Sequence, residues 1–306
     1  MNTATSPGTC HRITAPPEYG AIAPLVLSAP DHPPLACPSP PHSAACRQSI
    51  NADLRLLRPA LAGDVPARHR TPHDPDDRAR YRWIVGHQTA FGVWQLKGAV
   101  LRALAHSDNA PQRLVAQAAQ LYDVYSALFL YTGSCSAERY AATVRPDMTA
   151  RHPAFSGEWA RDHEAIPGLL SAVRARHPRE AIAALTQAAR RNQQVHIAVA
   201  RKLVPDGASL LATAGREPGT GRTDAERDLY DDHFKVRRQA VCRPSFDAQL
   251  VRRLTQCFCD ITTYDLDEPD DTSTVNAFSG PEAAAVLRDL AETLTGTYAP
   301  LEGILR

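Results

Sequence analysis

The sequence predicts an all-α fold, a helical bundle that follows a Pro-rich N-terminal arm and is interrupted by one long functional loop. Beyond residue 77, apolar side chains recur at spacings of three and four over long stretches. No segment alternates apolar and polar residues as a half-buried strand does, and no internal repeat appears. Prolines are dense up to about residue 73 and sparse after it.

Residues 1–76 form the arm. Its Pro16-Pro17, Pro33-Pro34 and Pro40-Pro41 pairs exclude regular helix, so a disordered or wrapping segment is expected. Within it, Leu54, Leu57 and Leu61 suggest one short helix at 52–61. Residues 77–306 form the helical body. A first helix is predicted over 78–106, with Trp83, His87, Phe91 and Trp94 on one stripe, ending before Ser107-Asp108-Asn109. Pro111 stands where a first-turn proline belongs, and Leu114, Ala118, Leu121, Tyr125 and Leu128 make the seam of a second helix that stops at Gly133. These two are expected to be antiparallel neighbours.

Residues 131–168 carry Gly133, Pro146, Pro153, Gly157 and Pro167 among Arg, His, Ser and aromatic residues, which predicts a long functional loop. A third helix over 178–204, stopped by Pro205, bears His196 in its second half. Thr223 and Glu226 form a capping box for a helix to about residue 240, 245–261 is a fifth helix, and Ser279 to Glu282 caps a last one.

Composition narrows the function. A chain of 306 residues can bury a sizeable core, and its 34 basic residues are dispersed and balanced to a net charge of +1, which leaves no footprint for nucleic acid or membrane. A small-molecule partner is expected. No apolar run approaches the roughly 18 residues of a spanning helix, and the apolar stretch 21–27 is short, is interrupted by Pro24 and has only Arg12 as a charged flank. The seven cysteines show neither metal-ligand nor disulfide spacing, and Cys257 and Cys259 point to different helix faces. A soluble, cytoplasmic protein with reduced structural thiols is the expectation.

Two histidines are placed for chemistry. His87 is set among Trp83, Ile84, Phe91 and Trp94, where burial favours the neutral imidazole; a core histidine with a satisfied hydrogen bond has the same spacing. His196 lies between Asn192 and Gln193 on one side and Val199, Ala200 and Leu203 on the other, a face small and apolar enough for a flat cofactor to lie against. On spacing alone the two read as a possible heme or metal pair or as two structural histidines. Arg139, Arg145 and Arg161 compete for a carboxylate-binding role, with loop-anchoring ion pairs as the alternative. Gly219-Thr220-Gly221 has no preceding strand and reads as a turn, His152 and His163 suit hydrogen-bonding roles, and His233 is a weaker ligand candidate.

The stretch Arg82-Trp83-Ile84-Val85-Gly86-His87-Gln88-Thr89-Ala90-Phe91-Gly92-Val93-Trp94 resembles the helix of tryptophan 2,3-dioxygenases that carries their distal histidine. Tyr131-Thr132-Gly133-Ser134-Cys135, Arg145-Pro146, His152-Pro153-Ala154-Phe155-Ser156-Gly157 and Trp159-Ala160-Arg161-Asp162 resemble the heme-dependent tyrosine hydroxylases of antibiotic pathways, members of the same histidine-ligated superfamily. The resemblance runs from about residue 77 to the end. It implies a bundle of the tryptophan 2,3-dioxygenase type around heme b, with His196 as the axial iron ligand, His87 as the distal base, and Trp83 and Phe91 against the cofactor. It further implies L-tyrosine as substrate, hydrogen peroxide as oxidant and L-DOPA as product of 3-hydroxylation, with Tyr131, Ser134, Trp94 and Arg139 around the substrate. Arg139 is chosen because Ser136-Ala137-Glu138-Arg139 is similar to the dioxygenases' carboxylate-binding motif, with Glu138 where they have Phe. A related hydroxylase of methylated tyrosine has His-x-x-x-Cys and a covalently tied heme; here Ala200 stands four residues after His196, so a noncovalent heme is implied. Superfamily precedent implies a homo-oligomer. Two other readings stay open: a heme dioxygenase of an indole amino acid, and a heme sensor or helical scaffold without catalysis.

Overall fold

A computed structural model describes residues 22–30 and 71–264, apart from 206, 208, 218, 220 and 221, together with isolated positions elsewhere. The short helix expected at 52–61 and the helix expected after Ser279 fall largely outside those residues. The molecule is all-α as the patterning requires, with one small exception at the arm.

Helix α1, Pro75–His106, starts where the side chain of Asp74 accepts the backbone N–H groups of Asp76 and Asp77 at 2.9 and 3.0 Å. Pro75 has no N–H to orphan in that first turn, and the Asp76 and Asp77 carboxylates face the positive end of the helix dipole. Helix α2, Gln112–Thr132, follows, with Pro111 as its N-cap residue, one place outside the helix, and Gly133 as its C-cap.

The segment read as a long loop is instead a run of short helices: α3 Ala137–Ala142, α4 Val144–Arg151, a 3-10 turn Gly157–Trp159, α5 Arg161–Glu164 and α6 Ile166–Arg176. Its breakers are starting signals. Pro146 and Pro167 lie in first turns, while the hydroxyls of Ser136 and Ser156 accept the N–H groups of Arg139 and Glu158. Helix α7, Ala183–Leu203, begins five residues later than Pro178, and α8, Leu210–Thr213, is a single turn. The Thr223–Glu226 capping box opens α9, Asp224–His233, which stops well short of residue 240; α10 is Arg243–Thr263.

Between α9 and α10 lies strand β2, Val236–Arg238, paired in parallel with β1, Leu25–Leu27, in the register Leu25 to Val236 and Leu27 to Arg238. The expectation of no strands is thereby corrected. Three buried residues, Leu-Val-Leu, are too few to show an alternation, and they bring one piece of the arm onto the body.

The core sits around α1, which packs on α2, α6 and α10, while α7 packs on α2. Inside it, Arg82 on α1 donates from Nε and Nη2 to the two carboxylate oxygens of Asp260 on α10 at 2.7 and 3.2 Å, and from Nη1 to the Ser134 hydroxyl at 2.9 Å. Both charges are almost wholly enclosed, so the pair fixes the position of α10 against α1 more than it adds net stability. Cys257 and Cys259 are fully buried on α10, where desolvation pushes both thiols up to about 12. No helix among the described residues is long and apolar enough to cross a membrane.

Gly86 sets how closely α1 approaches α2. A Cβ there falls 2.3 Å from Thr132 Cγ2 and 3.0 Å from Tyr131 Cδ1. Gly86→Ala is therefore expected to lose about 1–3 kcal/mol in urea unfolding, the usual penalty of forced overpacking; unchanged stability would show that the two helices part freely.

Candidate active site

Beside α1 and α2 lies a cavity of about 620 Å³, closed by residues from α3 through α9. That volume suits a cofactor or a drug-sized ligand. Trp83, Gly86, His87, Ala90 and Trp94 form its α1 wall; Tyr125, Leu128, Phe129 and Thr132 its α2 wall; His196, Val199, Ala200 and Leu203 its α7 wall. The two histidines singled out from the sequence, more than a hundred positions apart, thus line one space. They stand on helices that each pack against α2.

His87 is held tightly. Its Nδ1 lies 2.7 Å from the Trp83 carbonyl oxygen, which can only accept, so Nδ1 carries the proton and Nε2 keeps the lone pair. The ring stacks on Phe234 at 4.2 Å and 12°, and Trp83 leans on it at 4.2 Å. Desolvation pushes its pKa down to about 3, so the neutral imidazole is the working form.

His196 is oriented differently. Its ring stacks on Phe129 at 4.6 Å and 9°, and the residue is exposed and lines the cavity. Burial lowers its pKa, keeping the imidazole in the form that can donate a lone pair. One turn further along, Ala200 lines the same wall. A third imidazole, His163 on α5, lies edge-on to Trp94 at 5.4 Å; burial first, then Lys97 and His196, lower its pKa to about 3.

The other sequence candidates divide. Trp83 and Trp94 line the cavity. Phe91 does not: it is fully buried one layer behind, against Tyr230 of α9 and Phe234 just after that helix, because four residues of helix overshoot the His87 direction and turn its ring into the core. Tyr131 is fully buried on the Gly86 side, and its neighbour Thr132 faces the cavity instead. Ser134 accepts from Arg82 and donates to the Tyr131 carbonyl, a structural role. Arg139 reaches outward to Asp76 at 3.0 Å across the start of α1, and Arg161 pairs with Asp228 and Asp231. Of the three arginines weighed, only Arg145 lines the cavity. It is joined there by Arg222, whose ion pairs to Glu164 and Glu158 are long, at 3.5 and 3.9 Å. His233 is buried against Phe155 and Phe234 and does not reach the cavity. The single Gly219 N–H donates to both oxygens of the Glu158 carboxylate, at 3.3 and 3.0 Å.

Sequence reasoning missed Phe234 and Tyr230, which supply the floor under His87 and the cover over Phe91, and it missed Phe129 and Arg222. The signal for the first two was an aromatic pair four apart on the helix opened by the capping box. For Phe129 it was a place next to Leu128 on a seam already recognised.

The residues fit a heme. Two neutral imidazoles, flat aromatic walls and small residues at Gly86, Ala90 and Ala200 suit a macrocycle, and the cations Arg145 and Arg222 suit its carboxylates. The buried indole N–H of Trp83, on the same wall, has no hydrogen-bond partner among the described residues. Residues 39–187 match the family model described as SfmD 3-methyl-L-tyrosine peroxygenase. No curated protein matches the chain.

Proposed function

We propose, from the match of residues 39–187 to the family model described as SfmD 3-methyl-L-tyrosine peroxygenase, that the chain uses hydrogen peroxide to hydroxylate L-tyrosine at the 3-position, giving L-DOPA, with a noncovalent heme b on His196. The family supports a heme peroxygenase role on a tyrosine-like substrate. The observation that carries the reading to particular residues is the convergence of His87 and His196 on one cavity beside a tryptophan-rich wall. Bound heme would supply the iron at which the peroxide bond is polarised and its oxygen made electrophilic.

The protein's own residues do the rest. His87, neutral and with Nε2 unprotonated, would take the proton from one peroxide oxygen and return it to the other, which leaves as water while the first oxygen enters the ring C–H bond of the phenol. Phe234 and the Trp83 carbonyl hold the ring for both transfers. A neutral imidazole ligand pushes electrons less than a thiolate does, so this positioned base and the electron-rich phenol supply more of the driving force. Trp94 and Phe155 exclude water from the substrate's ring, and Arg145 and Arg222 are the cavity cations that can pair with carboxylates of substrate and cofactor. Ala200 offers no thiol, so the heme is held without a covalent tie. The assembly is proposed to be a homo-oligomer of cytoplasmic chains.

Reconstitution with heme, followed by L-tyrosine and peroxide, should give a Soret band, a catechol product and heme that acidic butanone extracts completely. The same assay with 3-methyl-L-tyrosine, the substrate in the family's description, ranks the two phenols. Product from neither substrate, or N-formylkynurenine from tryptophan with reductant and dioxygen, would overturn the reading.

A further inference from the structure

Directly behind the cavity wall formed by Trp94, Tyr125 and His163 lies a cation that the proposed reaction does not use. Lys97, one turn after Trp94 on α1, is 0% exposed, and no group among the described residues accepts a hydrogen bond from its Nζ. Two phenol rings of α2 hold it instead, with Nζ 4.1 Å from the Tyr122 centroid and 4.3 Å from that of Tyr125. A lysine enclosed with no carboxylate partner among the described residues is a costly arrangement that an apolar residue of the same length avoids. Packing alone does not explain it.

We infer that Lys97 is an electrostatic guard, whose ammonium against the faces of Tyr122 and Tyr125 keeps oxidising equivalents formed in the cavity from draining into the Trp94–Tyr125–Tyr122 wall. The inference rests on the peroxide reading for its purpose, though not for its physics. Hydrogen peroxide needs two electrons and two protons to become two waters. When no substrate phenol supplies them, aromatic side chains do, each giving up one electron from its ring and one proton from a phenol O–H or indole N–H.

Trp94 and Tyr125 both line the cavity, with their rings 5.4 Å apart, so both are donors within reach, and Tyr122 lies behind them as the other ring against Lys97 Nζ. A positive charge at about 4 Å from a ring face binds the electrons there, and the binding is strong where water is excluded. The ammonium also has no lone pair with which to take the phenol proton. Electron loss and proton loss are both opposed at the two tyrosines, whether the hole arrives from the cavity or from Trp94. Burial lowers the lysine pKa to about 7 while the two ring faces favour the charged form, so the guard is the protonated side chain and it weakens as pH rises above about 7, where the neutral amine has a lone pair for the phenol proton. The same charge helps keep His163, on the cavity side of the wall, unprotonated.

The test is site-resolved oxidation in Lys97→Met, which keeps the length and apolar stem of the side chain and removes the charge, with Lys97→Arg as the variant that retains it. At pH 6, where Lys97 is charged, protein without heme is treated with hexachloroiridate(IV), a one-electron outer-sphere oxidant, and heme-loaded protein with peroxide in the absence of substrate. Peptide mass spectrometry then reads oxygen gain at positions 94, 122 and 125 against Tyr264. In both arms Lys97→Met should gain oxygen at Tyr125 and Tyr122 about tenfold faster than wild type, and Lys97→Arg should stay near wild type. Equal rates in wild type and Lys97→Met without heme, or Lys97→Arg behaving as Lys97→Met, overturns the guard. A clear difference in the iridate arm, with heme-loaded protein that does not react with peroxide at all, supports the guard and rejects the peroxygenase reading instead.

Discussion

His196→Ala should lose the heme. The side chain sits on α7, exposed and lining the cavity, so its removal enlarges the cavity and leaves the helical core, which Val195 and Val199 fasten, in place. Far-ultraviolet circular dichroism is expected to be unchanged. Heme titration should then show affinity reduced by more than the roughly 10–100-fold that loss of an outer-shell partner costs, because the ligand itself is gone, and any residual Soret band should lack the histidine-ligated form. Added imidazole should restore part of the spectrum, since the Phe129 face that orients the native ring is still there to stack on a free one. His163, the other imidazole near that wall, is the informative control. If His163→Ala loses the heme and His196→Ala does not, the axial assignment passes to α5.

The sequence revealed His87 and His196 as candidates, but only a resemblance joined them, and the reason lies in the packing. Nothing in the local pattern of either helix encodes that both pack against α2. The helices themselves were legible because long amphipathic stretches leave a strong imprint, and the Thr223–Glu226 capping box opens one where it was expected; the Asp74-Pro75 start of α1 went unread, and the helix begins three residues before the expected 78. The segment 131–168 was misread because proline and glycine mark first turns as well as loops, and helices of four to eight residues are too short for a periodicity to outweigh them.

The arginines show the same limit. Arg139, chosen for its motif, is drawn outward by Asp76, an acidic residue at the other end of a chain of contacts that no spacing reveals. Arg222, which does line the cavity, lies in a glycine-rich stretch that reads as a plain turn. Phe91 fell on the right stripe at the wrong depth, since the stripe of a central helix is wide enough to serve both cavity and core.

His87→Ala should separate binding from chemistry. The ring is half-buried between Phe234 and Trp83 and makes no contact on which the α1 backbone depends beyond the bond to the Trp83 carbonyl, so the variant is expected to fold and to take up heme with a normal Soret band. Turnover should fall by about 10²–10⁴-fold, the usual contribution of a placed general acid–base, with the loss in kcat and little change in the KM for the phenol, because the substrate's carboxylate partners lie elsewhere on the wall. His87→Leu, which refills the space, should be as inactive as the alanine variant; that outcome assigns the loss to the missing lone pair on Nε2 rather than to a collapsed wall. Because desolvation already holds the imidazole neutral down to about pH 3, acidification from pH 8 to 6 should not reproduce the variant's loss through His87. Turnover within a few-fold of wild type in both variants would remove His87 from the reaction and leave it as a stacked core histidine.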